Sequence, residues 1–149
     1  MLLQDLIATD PSQVGIAWFD FYSIGHICFG IGVFLFFSLF YTIPKHKGNK
    51  PIFSLLFVFI LTLIILLLWE LLENTLFIVL GWKFEGRMDS WANIFTDILM
   101  GILGAGIAWL VCHLVFVKDK NIWGYYIFGL IAFGLWLGVF IILRALTLT

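Results

Sequence analysis

Three small groups of polar residues interrupt otherwise apolar sequence, and their spacing is that of helix faces. Glu70, Glu73 and Asn74 fall at i, i+3 and i+4, Asp89, Asn93 and Asp97 step by four, and Tyr22 and His26 are also four apart. Residues three or four apart share one side of an α-helix, so each group projects from one face of its own helix. Carboxylates joined by one imidazole and an amide form a donor set for a hard or borderline divalent cation such as Mg²⁺, Mn²⁺, Zn²⁺ or Fe²⁺. The candidate metal ligands are His26, Glu70, Glu73, Asp89 and Asp97. Glu70, Glu73 and Asp97 are the candidate catalytic groups for metal-assisted hydrolysis or transfer, with one carboxylate acting as general base. Tyr22, Asn74, Arg87 and Asn93 are candidate substrate contacts, Arg87 suiting an anionic headgroup.

The same residues fit two other readings. Crowded carboxylates can share protons, as a small proton- or cation-coupled transporter would require, or they can be neutralised by Lys83, Arg87 or Arg144 in plain salt bridges that only fix helix register, as in an accessory subunit. Individually, a lone histidine is more often a packing residue than a ligand, Asp20 reads as interfacial, and Asp89 can cap a helix with help from Ser90. Asp97, Glu70 and Glu73 lie deep in apolar runs and carry the strongest signal for a site.

These residues need elements to hold them. The chain has 149 residues, 63% of them apolar and 11% charged, with a mean hydropathy of +1.13, which places it in lipid. About 20 mostly apolar residues cross the hydrocarbon, and residues 19–41, 53–80, 91–117 and 122–143 each supply such a stretch. The expectation is an all-α, integral-membrane, four-helix antiparallel bundle forming a single domain over residues 1–149. Residues 1–9 read as a short amphipathic surface segment with Leu2, Leu3, Leu6 and Ile7 on one face, followed by an N-cap at Asp10 with proline at the next position. The start has no basic signal-peptide region, so the first apolar segment is expected to remain in the mature protein. A net charge of −1 gives no footing for nucleic acid. Phosphate-binding glycine loops, metal-binding cysteine pairs, HExxH and a serine nucleophile beside a base are all missing from the sequence, as is a convincing inverted repeat.

Counting helices brings the polar groups together. His26 comes early in the first span, Glu70 and Glu73 late in the second, and Asp89, Asn93 and Asp97 early in the third, so all approach one membrane face whichever way the protein is inserted. The connections on the opposite face hold Lys45, Lys47, Lys50, Lys118 and Lys120, against Lys83, Arg87 and Arg144 on the polar face. The positive-inside rule then places both termini outside the cytoplasm in a multi-pass inner-membrane protein. Trp18, Trp82 and Trp123 fall at span limits, where interfacial belts form. Cys28 and Cys112 lie toward opposite faces and are not expected to pair. Gly101, Gly104 and Gly106, with Gly134 and Gly138, suit close helix contact within the bundle or across a homodimer.

Three segments resemble a family of uncharacterised bacterial inner-membrane proteins known by a domain-of-unknown-function label, distantly similar to the YjdF and VanZ-like membrane proteins. They are Asp20-Phe21-Tyr22-Ser23-Ile24-Gly25-His26-Ile27 running on to Gly30, then Trp69-Glu70-Leu71-Leu72-Glu73-Asn74-Thr75, and finally Asp89-Ser90 with Asn93, Asp97 and Gly101. Phe29 stands where the related pattern has a second histidine, and the fourth helix carries no matching motif. The resemblance implies that these residues form a site and leaves its chemistry open. The expectation is a site near the external face that binds a divalent metal ion and acts on a lipid-linked or small-molecule substrate drawn from the bilayer.

Overall fold

A computed structural model describes residues 6–148 of the chain. Four helices are long and apolar enough to cross a membrane: α1, Phe21–His46; α2, Leu55–Glu73, continued by a short turn at Leu76–Val79; α3, Trp91–Val111, continued by a π-helical stretch at Cys112–Lys118; and α4, Ile122–Leu148. The chain is thus a four-helix membrane protein, and its lipid surroundings explain the many exposed large apolar side chains.

Each of the first three helices starts at a side chain that satisfies its free N–H groups. Asp20 accepts from the Tyr22 and Ser23 N–H while the Ser23 hydroxyl accepts from Asp20 N–H, a reciprocal capping box. Ser54 caps α2 by accepting from Phe57 N–H, and Ser90 caps α3 by accepting from Asn93 N–H. The cap of α3 is therefore Ser90, and the Asp89 carboxyl is left for other partners. Helix α1 runs five residues past the expected limit at Tyr41, through Pro44.

The amino-terminal stretch is described only from Leu6, so Leu2 and Leu3 of the expected amphipathic segment lie outside the described residues. Ile7 pairs with Phe19 in an isolated parallel bridge, held by Ala8 N–H donating to Phe19 O and Phe19 N–H to Leu6 O, so the backbone here is extended. Asp10 does cap a helix with proline at its start, but that helix is only the three-residue turn Pro11–Gln13.

Helix α1 is the centre of the bundle, packing most extensively against α3, then α4, then α2. Lipid tails are as apolar as leucine, so helix association here depends on close van der Waals fit. Glycines provide it: a Cβ at Gly30 would overlap the Gly101 carbonyl, and one at Gly104 would overlap the Ile27 carbonyl, so α1 and α3 touch backbone to backbone. Leu66 of α2 fills the space over Gly101, and Leu35 packs onto Gly129 of α4. Below this crossing lies a core of Ile27, Ile31, Phe34, Val58, Ala108 and Phe116. Gly106, Gly134 and Gly138 meet nothing within 4 Å, so the packing expected of them is not made within the chain. Cys28 and Cys112 are both buried and free.

The glycine contact makes a direct prediction. Gly104→Ala forces a methyl into an α1 carbonyl and should lower stability by about 1–3 kcal/mol, the usual cost of overpacking, whereas Gly106→Ala should be neutral or slightly stabilising. Thermal unfolding of the two variants in the same detergent checks this, and equal midpoints would contradict the packing described.

Candidate functional site

The polar residues gather at the end of the bundle where α1 and α3 begin and α2 ends. They form three connected tiers.

In the outermost tier, the loop before α1 folds over the start of α3. Ser90 N–H donates to Gly15 O, the Ser90 hydroxyl to Ile16 O at 2.8 Å, and the Asn93 amide to Ala17 O at 3.1 Å and to Asp20 Oδ2 at 3.2 Å. Asp20 Oδ2 also accepts from Gly15 N–H at 2.8 Å. Gly15 has φ +75°, and the Asp89 carboxyl occupies the place a Cβ would take, so a glycine is needed there. Burial holds the Asp20 carboxyl above the ordinary value of 3.8, against the lowering effect of the Gly15, Ser23 and Tyr22 N–H groups. Arg87 donates from Nη2 to Ser12 O at 2.6 Å and to Val14 O at 2.9 Å. Both Arg87 and Asn93, expected as substrate contacts, are thus tied to the amino-terminal loop.

The middle tier is built on Lys83. The α2–α3 connection turns back through left-handed backbone at Gly81, Glu85 and Gly86, and Phe84 packs edge-on to Phe21. This sends Lys83 Nζ inward to Glu73 Oε1 at 3.0 Å and Asp89 Oδ2 at 2.5 Å. Burial works against the lysine charge. The hydrogen bond to Asp89, the attraction of Glu73 and Asp89, and the hydrogen bond to Glu73 outweigh it, so the ammonium is held above its ordinary value of 10.5. Asn74 joins this tier to the next, accepting from Asp89 N–H at 2.8 Å and donating to Glu70 O at 3.1 Å.

The innermost tier is His26, Glu70 and Asp97, all buried. His26 Nδ1 lies 2.9 Å from Tyr22 O and 3.5 Å from Asp97 Oδ2. A carbonyl can only accept, so Nδ1 carries a hydrogen and donates it. In the neutral ring Nε2 then bears a lone pair, and it stands 2.8 Å from Glu70 Oε1. That is ion-pair distance, yet neither atom has a hydrogen bond of proper direction, and Asp97 Oδ1 is likewise buried without one. One ligand atom each from His26, Glu70 and Glu73 lie within 4.8 Å of one another.

A cavity of about 250 Å³ opens beside this tier, lined by Tyr22, His26, Phe29, Trp69, Glu73 and Phe140 among others. It lies in the cleft over α1 between α2 and α4, so it faces the lipid side of the bundle.

Of the expected site residues, the structure brings His26, Glu70, Glu73 and Asp97 together, with Tyr22 at the cavity and Asn74 bonded to Glu70; Asp89, expected as a metal ligand, is held apart from them by Lys83 and Asn74. Two further residues take part. Asp20, read as interfacial, is 6% exposed and bonds across to α3; its signal is the Asp-x-x-Ser spacing of a capping box. Lys83, one of three basic residues weighed as a partner, is the one that reaches the acids; sequence has no marker for which side chain a turn will aim inward.

No curated protein matches the chain. No solved structure matches it. The family described as "Predicted membrane protein (DUF2238)" matches residues 12–118, a stretch that holds all three tiers and ends before α4, and says nothing of a likeness to YjdF or VanZ-like proteins. With most of its length covered, and with the acids and histidine inside the matched stretch, the chain belongs to this family of predicted membrane proteins.

Proposed function

We propose that His26, Glu70 and Glu73 bind a divalent cation and that the site acts on the polar head of a lipid-linked substrate entering through the neighbouring cavity. The observation that carries this reading is the facing of His26 Nε2 and Glu70 Oε1 at 2.8 Å without a directed hydrogen bond. Two acceptors that close repel unless a positive charge lies between or beside them. A metal-bound histidine typically donates its other ring N–H to a carbonyl or carboxylate, the arrangement that Tyr22 O and Asp97 provide here.

Charge supports the same reading. Asp20, Glu70, Glu73, Asp89 and Asp97 are five carboxyls, while Lys83 supplies one positive charge and His26 as a metal ligand is neutral. Ionised carboxylates inside a membrane protein are costly without a counter-charge, and an ion of charge two removes half of the remaining imbalance. When bound, such an ion polarises a phosphoryl or carbonyl oxygen or lowers the proton affinity of water. Asp97 and Tyr22 O orient the imidazole, Glu73 faces the cavity where a general base is needed, and Lys83 holds Glu73 and Asp89 in place. We place this face outside the cytoplasm of the inner membrane on the lysine asymmetry of the connections.

A second reading draws on Asp97 Oδ1, buried and unpartnered beside His26. Asp97, His26 and Glu70 form a row along which a proton can pass, as a proton-coupled carrier needs.

Metal analysis of protein purified without chelator separates the two. We expect about one divalent ion per chain, with His26→Ala and Glu70→Gln each weakening binding by more than tenfold. Absence of metal from the wild type would remove the first reading, and a pH-driven flux in proteoliposomes abolished by Asp97→Asn would establish the second.

Lys83 gives an independent check on the charge balance. Lys83→Met leaves Glu73 and Asp89 facing each other in a buried setting and should cost about 3 kcal/mol. A cation held above its ordinary value contributes stability that is complete below 10.5 and is lost as pH rises through the higher folded value. The gap in unfolding temperature between wild type and variant should therefore be constant through neutral pH and close only in strong alkali. A gap that closes near neutrality would show that the lysine is not held by these acids.

A further inference from the structure

The site cavity is the first of four that share walls. It shares Phe29 with a second of about 300 Å³, which shares Gly32, Phe36 and Phe133 with a third of about 300 Å³, which in turn shares Leu39 and Tyr126 with a fourth of about 310 Å³ ending at His46 and Trp123. On α1 the shared line begins at Tyr22 and follows Gly25, Phe29, Gly32, Phe36 and Leu39, a strict alternation of three and four that keeps to one helix face. On α4 the opposite wall runs through Phe140, Phe133, Tyr126 and Trp123 at matching intervals. Glycines at 25 and 32 alternate with rings at 29 and 36, and their missing side chains make room where Phe140 and Phe133 come within 3.3 Å of a would-be Cβ.

The line from Tyr22 to His46 spans roughly 36 Å at ~1.5 Å per residue, against a hydrocarbon thickness of about 30 Å. A phospholipid tail reaches only to the midplane of that layer. Of the four linings only the one with His26 and Glu73 carries an acid, and the two middle cavities are apolar except for Tyr126, whose hydroxyl is bonded to Ser38 and Thr42. We propose that this groove holds a single lipid chain long enough to pass the bilayer midplane, of the polyprenyl kind, with its polar end at His26 and Glu73. The proposal rests on the lipid-linked reading of the site and names its substrate class.

Uncharged alcohols test the chain without calling on the metal. Native mass spectrometry of the detergent-purified full chain would compare a long-chain polyprenol with farnesol, its short-chain counterpart, using phosphatidylglycerol as competitor. We expect the long chain to bind at least about tenfold more tightly than the short one and to resist the phospholipid. Leu130→Trp, an exposed variant on the third cavity that leaves the α1 packing alone, should erase the preference for length while the metal content and farnesol binding stay unchanged. Equal binding of the two alcohols, or displacement of the long one by phosphatidylglycerol at equal concentration, would overturn the proposal. Failure of metal binding with the length preference intact would count against the cation reading alone.

Discussion

The meeting of His26 with Asp97, on which the polar cluster is built, depends on the close approach of α1 to α3. Membrane helices gain nothing from hiding apolar surface from each other, because lipid already hides it, so their association depends on how nearly the backbones can touch. Gly30, Gly101 and Gly104 remove the side chains that would hold the two helices apart. His26 stands one turn before Gly30, and Asp97 one turn before Gly101. The glycine crossing therefore sets the imidazole and the carboxyl at the same height and within 3.5 Å. One turn further out, the same pair of helices brings Asn93 to Asp20.

Given that approach, the chain faces one desolvation problem three times and answers it differently each time. Asp20 is surrounded by backbone N–H groups and the Asn93 amide, so its lone pairs are satisfied without a counter-charge. Glu73 and Asp89 share one ammonium delivered by a left-handed turn. The innermost acids have a histidine whose free nitrogen faces a carboxylate oxygen, and a long bond of 3.4 Å from the Asn74 amide to Glu70 Oε2. Buried polar groups are nearly always hydrogen-bonded, and three of the four exceptions among the described residues, His26 Nε2, Glu70 Oε1 and Asp97 Oδ1, meet in this tier, the fourth being Arg87 Nε. That concentration sets the innermost tier apart from the other two.

The architecture was legible because lipid imposes a simple rule: an apolar stretch of sufficient length must be a helix, and helices joined by short connections must alternate direction. From that rule alone His26, Glu70, Glu73 and Asp97 fall at one face. Depth along each helix can be counted from the sequence but rotation cannot: counting puts Glu70 about a turn deeper than His26, although the two touch. The extended pairing of Ile7 with Phe19 and the inward turn of Lys83 depend on tertiary fit and leave no periodic trace. The glycines show the same limit: Gly104 and Gly106 look equivalent in sequence, yet one meets a carbonyl and the other open space.

The family match ends before α4 begins, and this divides the molecule by role. Every acid of the cluster, the histidine and the lysine lie in the matched residues, while Leu137 and Phe140 of α4 complete the wall of the cavity beside them. Helix α4 contacts mainly α1, touches α3 little, and leaves most of its own surface to lipid. Its one charged residue, Arg144, forms no ion pair with the acids of the cluster among the described residues, so altering its apolar cavity-facing side chains changes the shape of the cavity beside His26 and Glu73 and leaves the charges there in place. The polar frame belongs to three helices and part of the cavity's apolar wall to a fourth, so charge and shape at this end of the bundle are set by different parts of the chain.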